Sequence, residues 1–178
     1  TIHDVEPFTA AGPHDWLRAL YGRLLLKRFA RRQDRIIAAS KSTALAVEKL
    51  FGLDHERIAV VPNGLNPERV VQHADGAYAW LRRELQLPLD TPIVGTVGRL
   101  APEKDHVMFL RAVATALRSR HDLHAVMVGD GACRQALEQK AEAFGITARV
   151  HFMGERSDSR RIIAGLDVFA LTSRIEGF

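Results

Sequence analysis

The sequence predicts an α/β protein of two Rossmann-like parallel-sheet domains, with the end of the first and most of the second present. Three observations lead there. From Ile93 onward, short uninterrupted apolar runs alternate with stretches of helical periodicity, the pattern of parallel strands covered on both faces. Each run breaks at its carboxyl end into a glycine-bearing or polar loop, where open α/β sheets bind ligands. A shorter strand–helix–strand section precedes them, separated by a polar, irregular stretch at 66–78. Right-handed crossovers then make the section from Ile93 Rossmann-like, and the shorter section reads as the tail of a different α/β domain.

In chain order, Trp16–Arg32 reads as a long basic helix and Arg35–Ala39 as a strand. Ser40–Phe51 reads as a helix, capped by a hydroxyl and stopped by Gly52. Ile58–Val61 is a strand ending in the turn signal Pro62-Asn63-Gly64. The domain boundary is expected in the polar stretch, giving domains 1–66 and 67–178. Asp75–Leu87 is expected as a helix leading into the second domain.

Ile93–Val97 is the first strand of that domain, followed by the loop Gly98–Asp105. His106–Arg118 carries Val107, Leu110, Val113, Ala114 and Leu117 at helical spacing. Leu123–Val128 is a buried strand that breaks at Gly129-Asp130-Gly131. Leu137, Ala141 and Phe144 mark the next helix, ended by Gly145. Val150–Met153 is a third strand, and Ser157 or Asp158 caps a short helix carrying Ile162, Ile163 and Leu166. Val168–Leu171 is read as a buried fourth strand, leading to Glu176-Gly177-Phe178.

Composition bounds the class. The chain has 178 residues, 47% hydrophobic and 26% charged, an ordinary globular mixture. A single cysteine, Cys133, leaves no internal disulfide and suits a reducing compartment. No segment approaches the roughly 18 apolar residues of a membrane span. The net charge of +4 fits an anionic ligand or surface, and equally fits nothing in particular. The sequence opens at Thr1 on what reads as a strand end, so a fragment truncated at both ends is expected.

Four constellations can carry chemistry. In Val97-Gly98-Arg99-Leu100-Ala101-Pro102-Glu103-Lys104-Asp105, two cations lie in a loop between a strand and a helix N-terminus. Arg supplies a bidentate fork, Lys a mobile charge and the helix free N–H groups, together a clamp for a diphosphate. The plainer reading is a solvated loop with a Glu103–Lys104 pair. Gly129-Asp130-Gly131 lets backbone approach a ligand, or is an ordinary tight turn, since Arg134 stands where a dinucleotide fingerprint needs glycine. Phe152-Met153-Gly154-Glu155 offers an edge for a nucleobase, or simply ends a strand. Glu176 is a lone carboxylate, so a hydrolase pair is not read from it. Cys133, at a helix start, reads as a small packed residue. Trp16–Arg35 carries seven cations among Trp16, Leu20, Leu24 and Leu25, a pattern for an anionic membrane surface or for packing within its own domain.

In order and spacing, these segments resemble the family-four retaining glycosyltransferases of GT-B fold. The residues carrying the resemblance are Val61-Pro62-Asn63-Gly64, Val97-Gly98-Arg99-Leu100 with Pro102-Glu103-Lys104, Val128-Gly129-Asp130-Gly131, His151-Phe152-Met153-Gly154, and Ser173 with Glu176-Gly177-Phe178. The resemblance implies that residues 1–66 end an acceptor-side domain and 67–178 form an incomplete donor-side domain. It implies that Arg99 and Lys104 hold and stabilise the departing diphosphate, and that Glu176 is the first acid of the family's Glu-x7-Glu pattern. It implies donor contacts from Gly98, Gly129, Asp130, Gly131, Met153, Gly154, Gly177 and Phe178, and that His3 resembles the histidine contacting the transferred sugar. The second acid lies past Phe178, Asn66 stands where the family often has Asp, and Ala132 where it often has Pro.

The expected activity is transfer of a hexosyl group, with retention, from a UDP- or GDP-linked sugar to a glycan or lipid-linked acceptor. No tightly bound cofactor, metal or nucleic-acid partner is expected. The expected location is cytoplasmic, with peripheral contact to an anionic membrane face. This fragment alone is expected to be inactive. The competing readings are another GT-B enzyme, a nucleotide-sugar epimerase or a phosphorylase, and a non-catalytic nucleotide-binding module.

Overall fold

The computed structural model describes residues 24–25, 27–64 and 75–174. The expectations for His3, Asn66, Glu176, Gly177 and Phe178 lie outside the described residues. The chain divides into two compact units, to which residues 24–64 and 75–174 respectively belong.

The first unit pairs two short parallel strands, β1 (Ile36–Ala38) and β2 (Ile58–Val60). Helix α1 (Lys41–Phe51) joins them. Its start and stop are those expected: the Ser40 hydroxyl accepts from the Thr43 N–H, and Gly52 takes the left-handed conformation beyond the last turn. Val47 and Phe51 on α1 close over Ile36, Ala38 and Ile58 in one apolar cluster.

The second unit is a four-stranded parallel sheet in the order β5-β4-β3-β6. Its strands are β3 (Ile93–Val97), β4 (His124–Val128), β5 (Val150–Gly154) and β6 (Val168–Phe169). Helices α2 (Ala77–Glu84), α3 (His106–Ala116), α4 (Arg134–Ala143) and α5 (Ser159–Gly165) complete it. The period of two along β4 builds a core on each face. Ala125 and Met127 join Phe109, Leu110 and Val113 of α3 and Leu137 and Ala141 of α4. Val126 and Val128 point the other way, onto Leu81 of α2 and Ile162 of α5. At the end of α4, Gly145 N–H returns to the Glu142 carbonyl and Ile146 N–H to that of Ala141, the Schellman arrangement.

Two expectations need correction. The run Val168–Leu171 is not a buried strand. Only Val168 and Phe169 pair, with Val94 and Gly95, and Val168, Phe169 and Leu171 are exposed. An apolar run carries no record of which strands flank it; β6 is a sheet edge among the described residues. Asp158 holds the N-cap position of α5, but its side chain makes no capping bond. Both carboxylate oxygens are instead held by the Arg156 fork, each at 2.8 Å, a stronger partner than a backbone amide.

The strand order places a topological switch between β3 and β6. From β3 the chain moves outward through β4 to β5, then returns to the other side of β3. Loops leaving the carboxyl ends of strands at such a point diverge and leave a crevice for ligand.

Candidate functional site

The site is built on the loops leaving the carboxyl ends of β3, β4 and β5. A cavity of about 380 Å³ lies there, lined by Val97, Gly98, Arg99, Val128, Gly129, Asp130, Glu155, Arg156 and Ser159. Two loops interlock along one wall. Gly98 N–H donates to Val128 O at 2.9 Å, Leu100 N–H to Asp130 O at 2.9 Å, and Cys133 N–H to Leu100 O at 2.9 Å. This closeness explains the Gly-Asp-Gly sequence. A Cβ on Gly129 would lie 2.0 Å from the Gly98 oxygen, and one on Gly131 2.6 Å from the Leu100 oxygen. Both glycines also have positive φ, 129° and 154°, where side chains are strained. The backbone that approaches these glycines is the neighbouring loop's.

Arg99 stands at the rim with a largely exposed side chain, bonded to Glu103 Oε1 at 2.6 Å. The plainer sequence reading paired Glu103 with Lys104, but the hydrogen-bonded partner is Arg99, one helical turn back. Glu103's own backbone N–H, and the Arg99 guanidinium beside it, hold this carboxyl below its usual pKa. Lys104 closes the short turn Pro102–Lys104, and its backbone carbonyl accepts the Thr172 hydroxyl at 3.1 Å.

His106 opens α3 just behind this loop. It is buried, and its Nε2 lies 3.2 Å from the Arg99 carbonyl, while Nδ1 is buried without a hydrogen-bond partner. Since a carbonyl only accepts, Nε2 carries the proton. Burial pushes the imidazole below its ordinary pKa, against the smaller opposing effect of the bond to Arg99.

Among the residues named from sequence, the cavity brings together Gly98, Arg99, Gly129 and Asp130. Gly131 is packed against the β3 loop, and Met153 packs on the apolar cluster of Leu81 and Val126. Gly154 has φ 68° and its carbonyl accepts the Gly129 N–H at 2.7 Å. Lys104, Gly131, Met153 and Gly154 are not among the lining residues. Cys133 packs partly into the core at the start of α4, as a small packed residue would.

Arg156 and Ser159 were not anticipated. Arg156 lines the cavity while held by Asp158 and, at 3.2 Å, by Glu84. Its position just past the carboxyl end of β5 was the available signal. The lining therefore contains two cations, Arg99 and Arg156, and two acids, Asp130 and Glu155. An anion entering here competes with carboxylates for guanidinium groups.

A parallel sheet covered on both faces, with a glycine-locked cavity at its carboxyl edge, defines the ligand-binding half of a doubly wound α/β protein. The model for Glycosyl transferases group 1 matches residues 80–178, and that for Glycosyltransferase Family 4 matches residues 1–69. The chain belongs to the group 1 glycosyl transferases.

It is 32% identical over 161 residues to the D-inositol 3-phosphate glycosyltransferase of Nocardia farcinica, covering 85% of this chain and 35% of that protein. It is 31% identical over 148 residues to the lipopolysaccharide core biosynthesis glycosyltransferase LpsE of Rhizobium meliloti, covering 83% of this chain and 40% of that one. The fold matches Anabaena HepE, whose crystal structure is a complex with UDP. The TM-score is 0.78 at 24% identity, over 98% of this chain and 46% of that one. The chain thus spans roughly two fifths of the length of the curated relatives it matches.

Proposed function

We propose that this protein transfers a hexosyl group from a nucleotide-sugar to a glycan or lipid-linked acceptor, with retention at the anomeric carbon. Residues 75–174 belong to its donor-side domain and 24–64 to its acceptor-side domain. The observation that carries this reading is the cavity at the carboxyl edge of β3, β4 and β5, with Arg99 at its rim and backbone loops fixed by Gly129 and Gly131.

In glycosyl transfer from a nucleotide-sugar, negative charge grows on the departing diphosphate. Preorganised donors aimed at that charge lower the barrier more than they aid ground-state binding. Arg99 offers a planar fork for phosphate oxygens, Lys104 a second charge, and the 11-residue helix α3 the positive end of its dipole. His106, neutral and buried, holds the carbonyl of Arg99 and so fixes where that loop begins. Glu176 on the same reading contacts the donor sugar. A UDP-linked hexose is the first donor to test, with support from the HepE complex with UDP.

The test is acceptor-dependent release of nucleotide by the full-length protein from UDP- and GDP-linked hexoses, with the anomeric configuration of the product read by NMR. Turnover without acceptor would instead indicate an epimerase. If Arg99→Ala and Lys104→Ala both leave turnover untouched, the assignment of those two residues is wrong.

A membrane contact belongs to the same proposal. In the described part of the basic helix, Leu24, Leu25, Lys27, Arg28, Arg31 and Arg32 line a surface depression of about 630 Å³. Exposed leucines beside clustered cations suit an anionic lipid surface. The full-length protein should bind anionic vesicles in a salt-sensitive way, and binding that is equal on neutral vesicles would overturn this.

A further inference from the structure

The two cations that line the cavity are held differently. Arg99 has a largely exposed side chain and one carboxylate partner, Glu103. Arg156 is clamped. Its Nε donates to Asp158 Oδ1 and its Nη2 to Asp158 Oδ2, each at 2.8 Å, and its Nη1 donates to Glu84 Oε1 at 3.2 Å. The two parallel bonds to Asp158 fix the plane of the guanidinium. Two carboxylates on one cation leave this cluster with an excess of negative charge. A diphosphate would add to that charge and would have to displace both partners, so Arg156 is a poor phosphate ligand. The backbone under both cations is tied to the loop leaving β4. Gly98 N–H and Leu100 N–H donate to it from the β3 side, and Gly129 N–H donates from it to the Gly154 carbonyl at 2.7 Å, at the end of β5.

A guanidinium carries five N–H groups. Among the described residues three of those on Arg156 are committed, which leaves one on Nη1 and one on Nη2. Fixed, neutralised and still able to donate, this side chain suits an uncharged planar group with an acceptor on its edge. The base of a nucleotide-sugar is such a group. Met153, the residue expected to meet the base, packs instead on the cluster of Leu81 and Val126 and does not line the cavity, whereas Arg156 does. We propose that Arg156 selects the donor's nucleobase: its two uncommitted N–H groups take the keto oxygen of uracil or guanine and reject the amino group that cytosine or adenine carries in its place. This deepens the function proposed above and rests on it.

The experiment is calorimetric titration of the full-length protein with matched pairs, UDP against CDP and GDP against ADP, and with inorganic pyrophosphate as a probe without a base. The wild type should favour the keto member of the tighter pair by about tenfold or more, the scale of a paired contact to a base edge. Arg156→Leu should bring the two members within about twofold of each other and leave pyrophosphate affinity within about twofold of the wild type. Arg156→Lys keeps a cation between Asp158 and Glu84 and so guards against loss of the fold. It lacks the plane and the fork, and it too should lose the preference.

A wild type without a keto preference, or a preference that survives in either variant, overturns the proposal. Parallel losses of pyrophosphate and nucleotide affinity in Arg156→Leu would mark a phosphate or structural role and also overturn it. A preference for CDP or ADP would point to the Glu155 carboxylate, which lines the same cavity and accepts from amino groups, and would overturn it too. Arg99→Ala separates this from the parent reading. It should weaken pyrophosphate and nucleotides together while the keto preference stays. If Arg99→Ala is silent but Arg156→Leu levels the bases, the diphosphate assignment fails and base selection stands. If the wild type binds none of these nucleotides, both readings fall.

Discussion

The two ends of the four-stranded sheet use the same chemistry to opposite ends. At the amino end, Arg82 is fully buried, its Nη2 2.5 Å from Asp167 Oδ2. It donates further to the carbonyls of Thr91, Tyr78 and Gly165, and its guanidinium lies 3.3 Å over the Tyr78 ring. Asp167 also accepts the Ile93 N–H at 2.6 Å. This one guanidinium ties α2, the entry to β3, the end of α5 and the entry to β6. At the carboxyl end, Arg99 and Arg174 have largely exposed side chains, each with one carboxylate partner. A buried cation held by four hydrogen bonds cannot exchange partners without unfolding its surroundings. An exposed one exchanges readily and is worth little to stability. The amino end holds the fold, and the carboxyl end is free to serve a ligand.

The largest expected effect breaks the amino end. Arg82→Met should cost about 3–5 kcal/mol of unfolding free energy, because it strands Asp167 and three carbonyls beside an apolar side chain. Urea denaturation of the full-length protein measures it. A loss below about 1 kcal/mol would mean the site relaxes onto water and is not the clamp described. The mirror experiment is Arg99→Ala. It should leave the denaturation midpoint nearly unchanged while lowering turnover by about 10²-fold or more, the usual cost of removing a donor to developing charge. If both substitutions moved stability alike, the contrast between the two ends would collapse.

How much of this was legible in the sequence follows the same divide. The strands of the second unit, and most helix ends, are local patterns. Apolar runs, a Ser cap at Ser40, and glycine stops at Gly52 and Gly145 involve partners within a few residues. The Gly129–Gly131 turn was legible as a turn, but its cause, the backbone of the β3 loop, lies about thirty residues away and leaves no mark on composition. Arg82 lies on the helix expected over Asp75–Leu87, and the sequence does not mark it as buried. Its partner Asp167 is 85 positions distant, and nothing in the local pattern distinguishes it from its neighbour Arg83. Arg99, proposed to hold a diphosphate, lines the cavity; its engagement by Glu103 was not legible, since three charges within six residues allow several pairings. The run at β6 is read as a buried strand because an apolar run carries no record of whether another strand or helix lies beyond it.

A second feature of the amino end sharpens the comparison through pH. Arg149 donates to His124 Nε2 at 2.8 Å, so that nitrogen accepts. His124 Nδ1 then carries the proton and donates to His151 Nε2 at 2.9 Å. The relay is satisfied only with both rings neutral. Burial lowers the pKa of both, and for His124 the neighbouring His151 and Arg149 lower it further. His106 is lowered as well, chiefly by burial. In the unfolded chain all three take up protons near the ordinary imidazole value of about 6.5. The folded state takes them up only at lower pH. Below about 6.5 the unfolded state therefore binds more protons, and stability falls on acidification by at most about 1.4 kcal/mol per pH unit for each ring kept neutral. Above that value the rings contribute no slope. Denaturation midpoints between pH 7.5 and 5 measure this, and His151→Gln should flatten the dependence. A stability that rises as pH falls through this window would refute the neutral relay.

The smallest expected effect tests whether the carboxyl end really exchanges partners. Glu103 now holds the Arg99 guanidinium at 2.6 Å, and its carboxylate stays ionised through the neutral range. On the proposed function, a diphosphate reaching Arg99 must displace or share that carboxylate, so part of its attraction is spent on the exchange. Glu103→Gln removes the competing charge, while the Glu103 backbone carbonyl that receives the Arg174 N–H is untouched. The variant should bind free UDP or GDP more tightly, by up to about fivefold given the modest worth of an exposed pair. Titration calorimetry at two salt concentrations measures it, and the gain should shrink as salt screens the competition. The amino end offers the control. Asp167→Asn, equally a neutralised partner of an arginine, should destabilise the fold and leave nucleotide affinity where it was. Weaker nucleotide binding by Glu103→Gln would mean that Glu103 orients Arg99 for the ligand, and the carboxyl end would then be a preorganised clamp of the same kind as the amino end, not an exchangeable one.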